Sequence, residues 1–167
     1  MRHDPSTEVL RAVRAGYRRL MGYVLRTSLP DGYFHVWMRG VCGIPPFPEP
    51  QDRTAALGML LKAAKRFGIR VEAASVLRTH YHAIVEGRSS SLSRAMQWFH
   101  SRYARAFNRQ YGRFGSVFAE RFQCRTVDED GVFDRCGYVL ANPVKAGLCD
   151  RIEDWPWSYS RLGPGVF

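Results

Sequence analysis

Lysine is nearly missing from this chain: Lys62, Lys65 and Lys145 are the exceptions among 25 basic residues, and the rest are arginines. Acids are scarce as well, at 15, so the formal net charge is +10 and the isoelectric point is close to 10.0. A surplus carried by guanidinium groups suits bidentate phosphate contacts and stacking on bases, which makes nucleic acid the leading partner class. A generally arginine-rich proteome is the bland alternative. No apolar run nears the ~20 residues of a membrane helix, and the first residues hold no signal-peptide core. A membrane partner is therefore not expected, and the expected location is cytoplasmic, with the nucleoid. Cys42, Cys124, Cys136 and Cys149 are too scattered for a zinc ribbon and read as reduced, packing thiols. Internal repeats and low-complexity segments are absent, which excludes a repeat array. What remains, 167 residues at 46% hydrophobic and 24% charged, suits one globular domain with a real core.

Residues 1–28 stand apart, with Arg2, Arg11, Arg14, Arg18, Arg19 and Arg26 against two acids. A helix over Glu8–Leu25 fits, although Gly16 and Gly22 weaken it. This stretch is either a basic arm for a phosphate backbone or a solvated appendage, and a single domain is expected over 29–167. Gly32 to Val41, aromatic and β-branched after a Pro30-Asp31-Gly32 turn, reads as a strand. Pro45 to Pro50 forbids regular structure. From Asp52 the spacing of Leu57, Leu60, Leu61 and Ala64 predicts a helix that Gly68 stops.

Ile69–Leu77 and Tyr81–Glu86 read as neighbouring strands. Ser89-Ser90-Ser91 offers an N-cap to a helix running to about Arg109, with Leu92, Met96, Phe99, Tyr103, Ala106 and Phe107 on one face. Arg94, Arg102, Arg105 and Arg109 lie roughly opposite, and no acid falls between Ser89 and Gln110. A stripe of one sign favours phosphate contact over plain solvation. Val117–Val127 reads as a fourth strand. Asp128-Glu129-Asp130 begins a helix from Gly131 to about Asn142, which Pro143 ends. The tail around Trp155 and Trp157 is expected to pack back on the domain. This order is α+β: a ferredoxin-like, split β-α-β plait with a four- to five-stranded antiparallel sheet and an added C-terminal helix bearing Tyr138. One sheet face takes helices and the other is offered to a ligand.

Two features carry chemistry. His80 and His82, two apart on a strand, point to the same face as a two-nitrogen metal grip, although an H-x-H pair alone is common. On the last helix Val132, Phe133, Cys136, Val139 and Leu140 make the core side. Tyr138 and Asn142 lie one turn apart on the other side, beside Arg135. Two neutral imidazoles and an amide oxygen form a partial shell for Mg²⁺ or Mn²⁺, with positions left for a phosphate oxygen. With such an ion as Lewis acid, Tyr138 could attack a phosphodiester, giving a phosphotyrosine and a free 3′-hydroxyl. A phenol with an ordinary pKa near 10 needs the ion or a base to activate it.

On these residues the chain resembles the REP-associated tyrosine transposases, the single-tyrosine branch of the HUH endonuclease superfamily. Gly32-Tyr33-Phe34-His35-Val36 before Arg39-Gly40 echoes that family's opening strand, and His80-Tyr81-His82 matches its histidine pair. Leu92 through Trp98 and Gly115 through Arg121 match further stretches. Tyr138-Val139-Leu140-Ala141-Asn142-Pro143-Val144-Lys145-Ala146-Gly147-Leu148 matches its most specific block. The Trp155-Pro156-Trp157-Ser158 tail fits too, so the likeness spans roughly 30–162.

The resemblance implies His80 and His82 as metal ligands with Asn142 third, Tyr138 as nucleophile, and Mg²⁺ or Mn²⁺ as cofactor. It implies cutting and rejoining of single-stranded DNA beside hairpin repeats, by a monomer or a homodimer. Expected DNA contacts are Arg39, Arg78, Arg94, Arg102, Arg105, Arg109, Arg121 and Arg135. The family's M-P-N before the first histidine is not kept, since Val76-Leu77-Arg78-Thr79 precedes His80 here. The alternative is a domesticated, non-cleaving DNA- or RNA-binding module on the same fold. Intact His80, His82, Tyr138 and Asn142 favour the enzyme. A plait-type RNA binder fits the fold and charge but leaves the Tyr138–Asn142 spacing without a reason.

Overall fold

Alternation decides which side of the sheet each strand residue takes, in a computed structural model that describes residues 29–41 and 44–163. The expected basic arm over 1–28, its helix, and Cys42 lie outside the described residues. The elements are β1 (Gly32–Arg39), α1 (Pro50–Phe67), β2 (Arg70–Val76), β3 (His80–Gly87), α2 (Ser89–Gln110), β4 (Gln123–Val127), α3 (Val132–Leu140), the single turn α4 (Asn142–Lys145) and β5 (Ser158–Ser160). The sheet order is β4-β1-β3-β2-β5, antiparallel throughout. That is the expected split plait with a fifth strand at the β2 edge.

Phe34, Val36 and Met38 of β1 and Tyr81, Ala83 and Val85 of β3 join the main core with Leu60 and Ala63 of α1 and Met96 and Phe99 of α2. The alternate positions face the opposite side. There Ala73 and Ile84 meet Cys136, Val139 and Leu140 of α3 in a smaller apolar cluster. This second cluster seats α3 on the β2–β3 half of that face, next to the strip holding His35, Trp37, His80 and His82.

The start of α1 is fixed by a reciprocal cap between Glu49 and Asp52 and by Pro50 at its first turn, and Gly68 closes it in the left-handed conformation at φ 65°. The serine cap expected for α2 is not used. Arg88 is the cap residue, and the Ser89 N–H instead donates to Asp31 at 3.1 Å, a carboxylate 58 residues earlier. Ala106, expected on the core face of α2, is exposed. The expected fourth strand is shorter than its apolar pattern. Only Gln123–Val127 pairs with β1, while Val117 and Phe118 are buried as irregular chain bridged to Gly40. Gly40 also lets the loop that follows fold back against it, because a Cβ there would lie 2.4 Å from the Ile44 carbonyl oxygen and 2.5 Å from Pro46 Cδ.

The tail does pack back. Trp155 Nε1 donates to the Val76 carbonyl and Trp157 Nε1 to Thr54 Oγ1, both at 3.0 Å, while β5 extends the sheet. The Arg53 guanidinium sits 4.2 Å from the centre of the Trp157 ring and donates to the Phe47 carbonyl, so this arginine serves the fold. Cys124, Cys136 and Cys149 are free thiols, as expected.

His100 of α2 is walled in by Phe99, Phe118 and Phe122, and its Nε2 lies 2.8 Å from the Tyr81 hydroxyl. Burial pushes its pKa down to about 3. The unfolded chain protonates this imidazole near pH 6.5, while the folded chain resists until about 3, so stability falls as pH drops through that window and is unaffected above it. Between pH 7 and 5 the loss from this residue is expected to reach about 2 kcal/mol. Urea unfolding at the two pH values should show it, and His100→Gln should flatten the slope. An unchanged slope would contradict the assignment.

Candidate active site

The β1–β3 register builds the site. Arg39 stands opposite His80, Trp37 opposite His82, and His35 opposite Ile84, one position diagonal to His82. The His80 and His82 ring centres are 5.1 Å apart and nearly perpendicular, at 88°. His35 lies 5.2 Å from His82, with its Nε2 at 3.0 Å from His82 Nδ1. Thr79 Oγ1 lies 2.9 Å from His80 Nδ1. Both H-x-H rings therefore have Nδ1 occupied by a neighbour, which leaves Nε2 of each as the nitrogen open to a cation.

The turn before His80 departs from the M-P-N pattern yet is pinned on three sides. Leu77 N–H donates to the His80 carbonyl at 2.9 Å, and the Arg78 and Thr79 carbonyls accept from Phe47 and Gly40 at 3.1 Å each. Thr79 adds the hydroxyl that meets His80.

All three imidazoles resist protonation. Burial, then the charges of Arg135 and Arg125, lowers the His35 pKa to about 4. Burial, then His80, His35 and Arg39, lowers that of His82 to about 3. His80 is lowered by burial and by Arg39. Neutral imidazoles at pH 7 offer lone pairs, so the donor set fits a divalent cation that accepts nitrogen and oxygen ligands. Among the described residues no group of three His, Cys, Asp or Glu side chains forms a complete cage. Further ligands would have to be an amide, water or phosphate oxygen.

Tyr138 on α3 reaches this strip within the same chain. It is 41% exposed, and its ring meets His35 and His82 edge-on at 6.2 Å and 6.5 Å between centres. Lys145 Nζ lies 4.3 Å and the Arg135 guanidinium 5.9 Å from the centre of the ring. Helix α3 stops at Leu140, earlier than expected, and the chain then takes one more turn, α4, with proline in its first turn. Pro143 has no N–H for the Val139 carbonyl. The Asn142 side chain substitutes, with Nδ2 donating to the Tyr138 carbonyl at 2.8 Å and to that of Val139 at 3.3 Å. Both acceptors are carbonyls, so the amide nitrogen is held against the helix and Oδ1 is the atom left for ligation. Phe133, expected on the core side, is 55% exposed because the α3 axis buries only Cys136, Val139 and Leu140.

Two cavities flank the histidines. One, of about 510 Å³, is lined by Arg39, Arg78, Thr79 and His80. The other, of about 670 Å³, is lined by His35, Trp37, His82, Arg125, Arg135 and Tyr138, among others. Of the arginines expected to contact DNA, Arg39, Arg78 and Arg135 line these cavities. Arg94, Arg102, Arg105 and Arg109 do not, because α2 packs on the opposite face of the sheet. Arg94 and Arg102 lie over the Phe67 and Trp98 rings there, at 5.4 Å and 5.2 Å. Arg121 is exposed before β4 and lines neither cavity, and Asn142 lines neither. His35, Trp37, Arg125 and Lys145 enter the site without having been singled out. Alternation along Gly32–Val41 puts His35 and Trp37 on one face, but only the pairing register shows that this face is that of His82.

A plait whose open face carries neighbouring imidazoles, with a tyrosine helix laid beside them, has the architecture of the tyrosine transposases. A family model described as "Transposase IS200 like" matches residues 48–141, over half of the chain, and the protein belongs to that family. The fold is similar to that of a REP-associated tyrosine transposase solved bound to a REP hairpin, with a TM-score of 0.57 and 17% identity over 78% of this chain and 77% of that one. A candidate transposase from Deinococcus radiodurans R1 aligns at a TM-score of 0.47 and 13% identity, over 66% of this chain and 90% of that one. No curated protein sequence matches the chain. Among the described residues no helix is long and apolar enough to cross a membrane.

Proposed function

We propose that the protein cuts and rejoins single-stranded DNA beside hairpin repeats, with Tyr138 as the nucleophile. The Tyr138 oxygen bonds to the scissile phosphorus as its phenolic proton passes to water in the open cleft, the bond from phosphorus to the 3′-oxygen breaks, and the departing 3′-oxygen takes a proton from water. The products are a 5′-phosphotyrosine and a free 3′-hydroxyl, and the reverse attack rejoins a strand. The observation that carries this reading is the edge-on approach of an exposed Tyr138 ring to His35 and His82 of its own chain.

His80 and His82 would hold Mg²⁺ or Mn²⁺ through Nε2, with Asn142 Oδ1 as a third ligand. A cation so held supplies Lewis-acid polarisation of the phosphate. His35 orients His82. For Nε2 of His82 to carry the lone pair, Nδ1 must carry the proton, so it donates to His35 Nε2, 3.0 Å away. Lys145 and Arg135 bring charge to the phosphate oxygens beside Tyr138, and Arg39 and Arg78 hold a neighbouring phosphate. The α2 arginines, on the far face, would bind phosphates away from the cutting site. Tyr138 reaches the histidines without helix exchange, so a monomer suffices for one cut.

Incubation with Mn²⁺ and a labelled hairpin carrying a single-stranded flank should give an adduct that survives a denaturing gel, and chelation should remove it. The hairpin is chosen because the REP-associated relative was solved with one. Tight binding without an adduct would mark the non-cleaving module instead.

A further inference from the structure

The cavity between Tyr138 and strand β4 is larger than an attacking phenol and a phosphate require, at about 670 Å³. Its sheet-side wall is Trp37, a half-buried indole that belongs to neither apolar cluster. The indole lies 6.4 Å from the His82 ring centre at an interplanar angle of 28°, with the Arg125 guanidinium 5.7 Å from its own centre. Asp128 and Asp130 line the same cavity. Two carboxylates are unsuited to bare phosphate, but together with an indole they suit a nucleoside. The ring offers a stacking platform, the carboxylates accept N–H groups of a base edge, and Arg125 and Arg135 answer the phosphates.

Resting on the strand-cutting reading above, we infer that this cavity is a nucleotide subsite in which the base immediately 3′ of the scissile phosphate stacks on Trp37. In-line displacement puts the Tyr138 oxygen and the departing 3′-oxygen on opposite sides of phosphorus. Tyr138 lies with Trp37 at one cavity, and the second cavity opens on the His80 side, toward Arg39 and Arg78. The nucleotide bearing the departing oxygen therefore occupies the Arg39–Arg78 side. The nucleotide that stays on Tyr138 through its 5′-phosphate remains beside the indole.

The test uses the Tyr138→Phe chain, so that binding is read without cleavage. Fluorescence anisotropy with Mn²⁺ follows a hairpin with a single-stranded flank, in which each flank nucleotide in turn is made abasic. One abasic position should weaken binding about tenfold. Adding Trp37→Ala should weaken the intact oligonucleotide by a similar factor and abolish the penalty at that position alone, while Trp37→Phe should keep most of the affinity. Unchanged binding by the Trp37→Ala protein, or an abasic penalty that persists in full in its presence, overturns the subsite. The cut site of the protein with Tyr138 intact then fixes polarity: the sensitive base must lie on the strand retained by the protein, and its location on the freed 3′-hydroxyl strand overturns the assignment. A protein that forms no adduct but shows the Trp37-dependent penalty refutes cutting while keeping the base platform.

Discussion

Tyr138→Phe should abolish the covalent adduct and lower strand cleavage on the order of 10³-fold or more, to background, because it removes the only atom that forms the new bond. The ring and its contacts with Lys145, Arg135 and the histidines remain. At 41% exposure, losing one hydroxyl should leave the folding stability within about 0.5 kcal/mol. Affinity for an uncut hairpin with a single-stranded flank should stay within about twofold, since the arginines and lysine proposed to hold phosphate are untouched. Denaturing gels and a thermal melt read both arms. An adduct that persists in the Phe variant places the nucleophile elsewhere, and a collapsed melt would mean that the phenol serves the fold.

Removal of His82 should produce the other large effect. His82→Ala deletes a proposed ligand and the hydrogen-bond partner of His35, so Mn²⁺ affinity read by EPR should fall more than about 100-fold, with cleavage falling alongside. His35→Ala leaves both H-x-H rings but frees His82 to rotate, and should cost about 10- to 100-fold in Mn²⁺ affinity, the range for a group that orients a ligand. His35→Gln can present a carbonyl oxygen to His82 Nδ1 and should recover much of the loss. Excess Mn²⁺ should rescue cleavage by the His35 variants further than by His82→Ala. Equal Mn²⁺ affinity in the His35→Ala and starting proteins would refute the orienting role.

The order of elements could be read from the sequence because each local signal agreed with the fold. Pro50 and Gly68 bracket α1, alternation marks β3, and the same alternation sets His80 and His82 on one face. The errors arose where distant groups decide. The cap position of α2 falls on Arg88 and its first N–H goes to Asp31, so the three serines lie inside the first turn and not at the cap. Val117 and Phe118 are apolar because the core buries them, although they never join the ladder that β4 makes with β1. Phe133 follows the helical apolar period, but α3 meets Ala73 and Ile84 through Cys136, Val139 and Leu140, and Phe133 stays exposed.

The site was half legible for a similar reason. His80, His82 and Tyr138 declare themselves by spacing. His35 depends on the β1–β3 register, which no local pattern encodes. Lys145 reaches Tyr138 only because the chain keeps turning after Pro143, where a proline normally signals an end. The arginines of the α2 stripe are exposed, but a sequence cannot say which layer of the sheet that surface belongs to.

Pulsed EPR of Mn²⁺ bound to the Tyr138→Phe protein with an uncut hairpin substrate asks whether imidazoles and phosphate meet at one ion. Coupling from two imidazole nitrogens and from one phosphorus, with one nitrogen lost in His80→Ala and one in His82→Ala, is the expected spectrum. Phosphorus coupling with no imidazole nitrogen would mean that the ion rides on the DNA alone and that the paired histidines do not hold it.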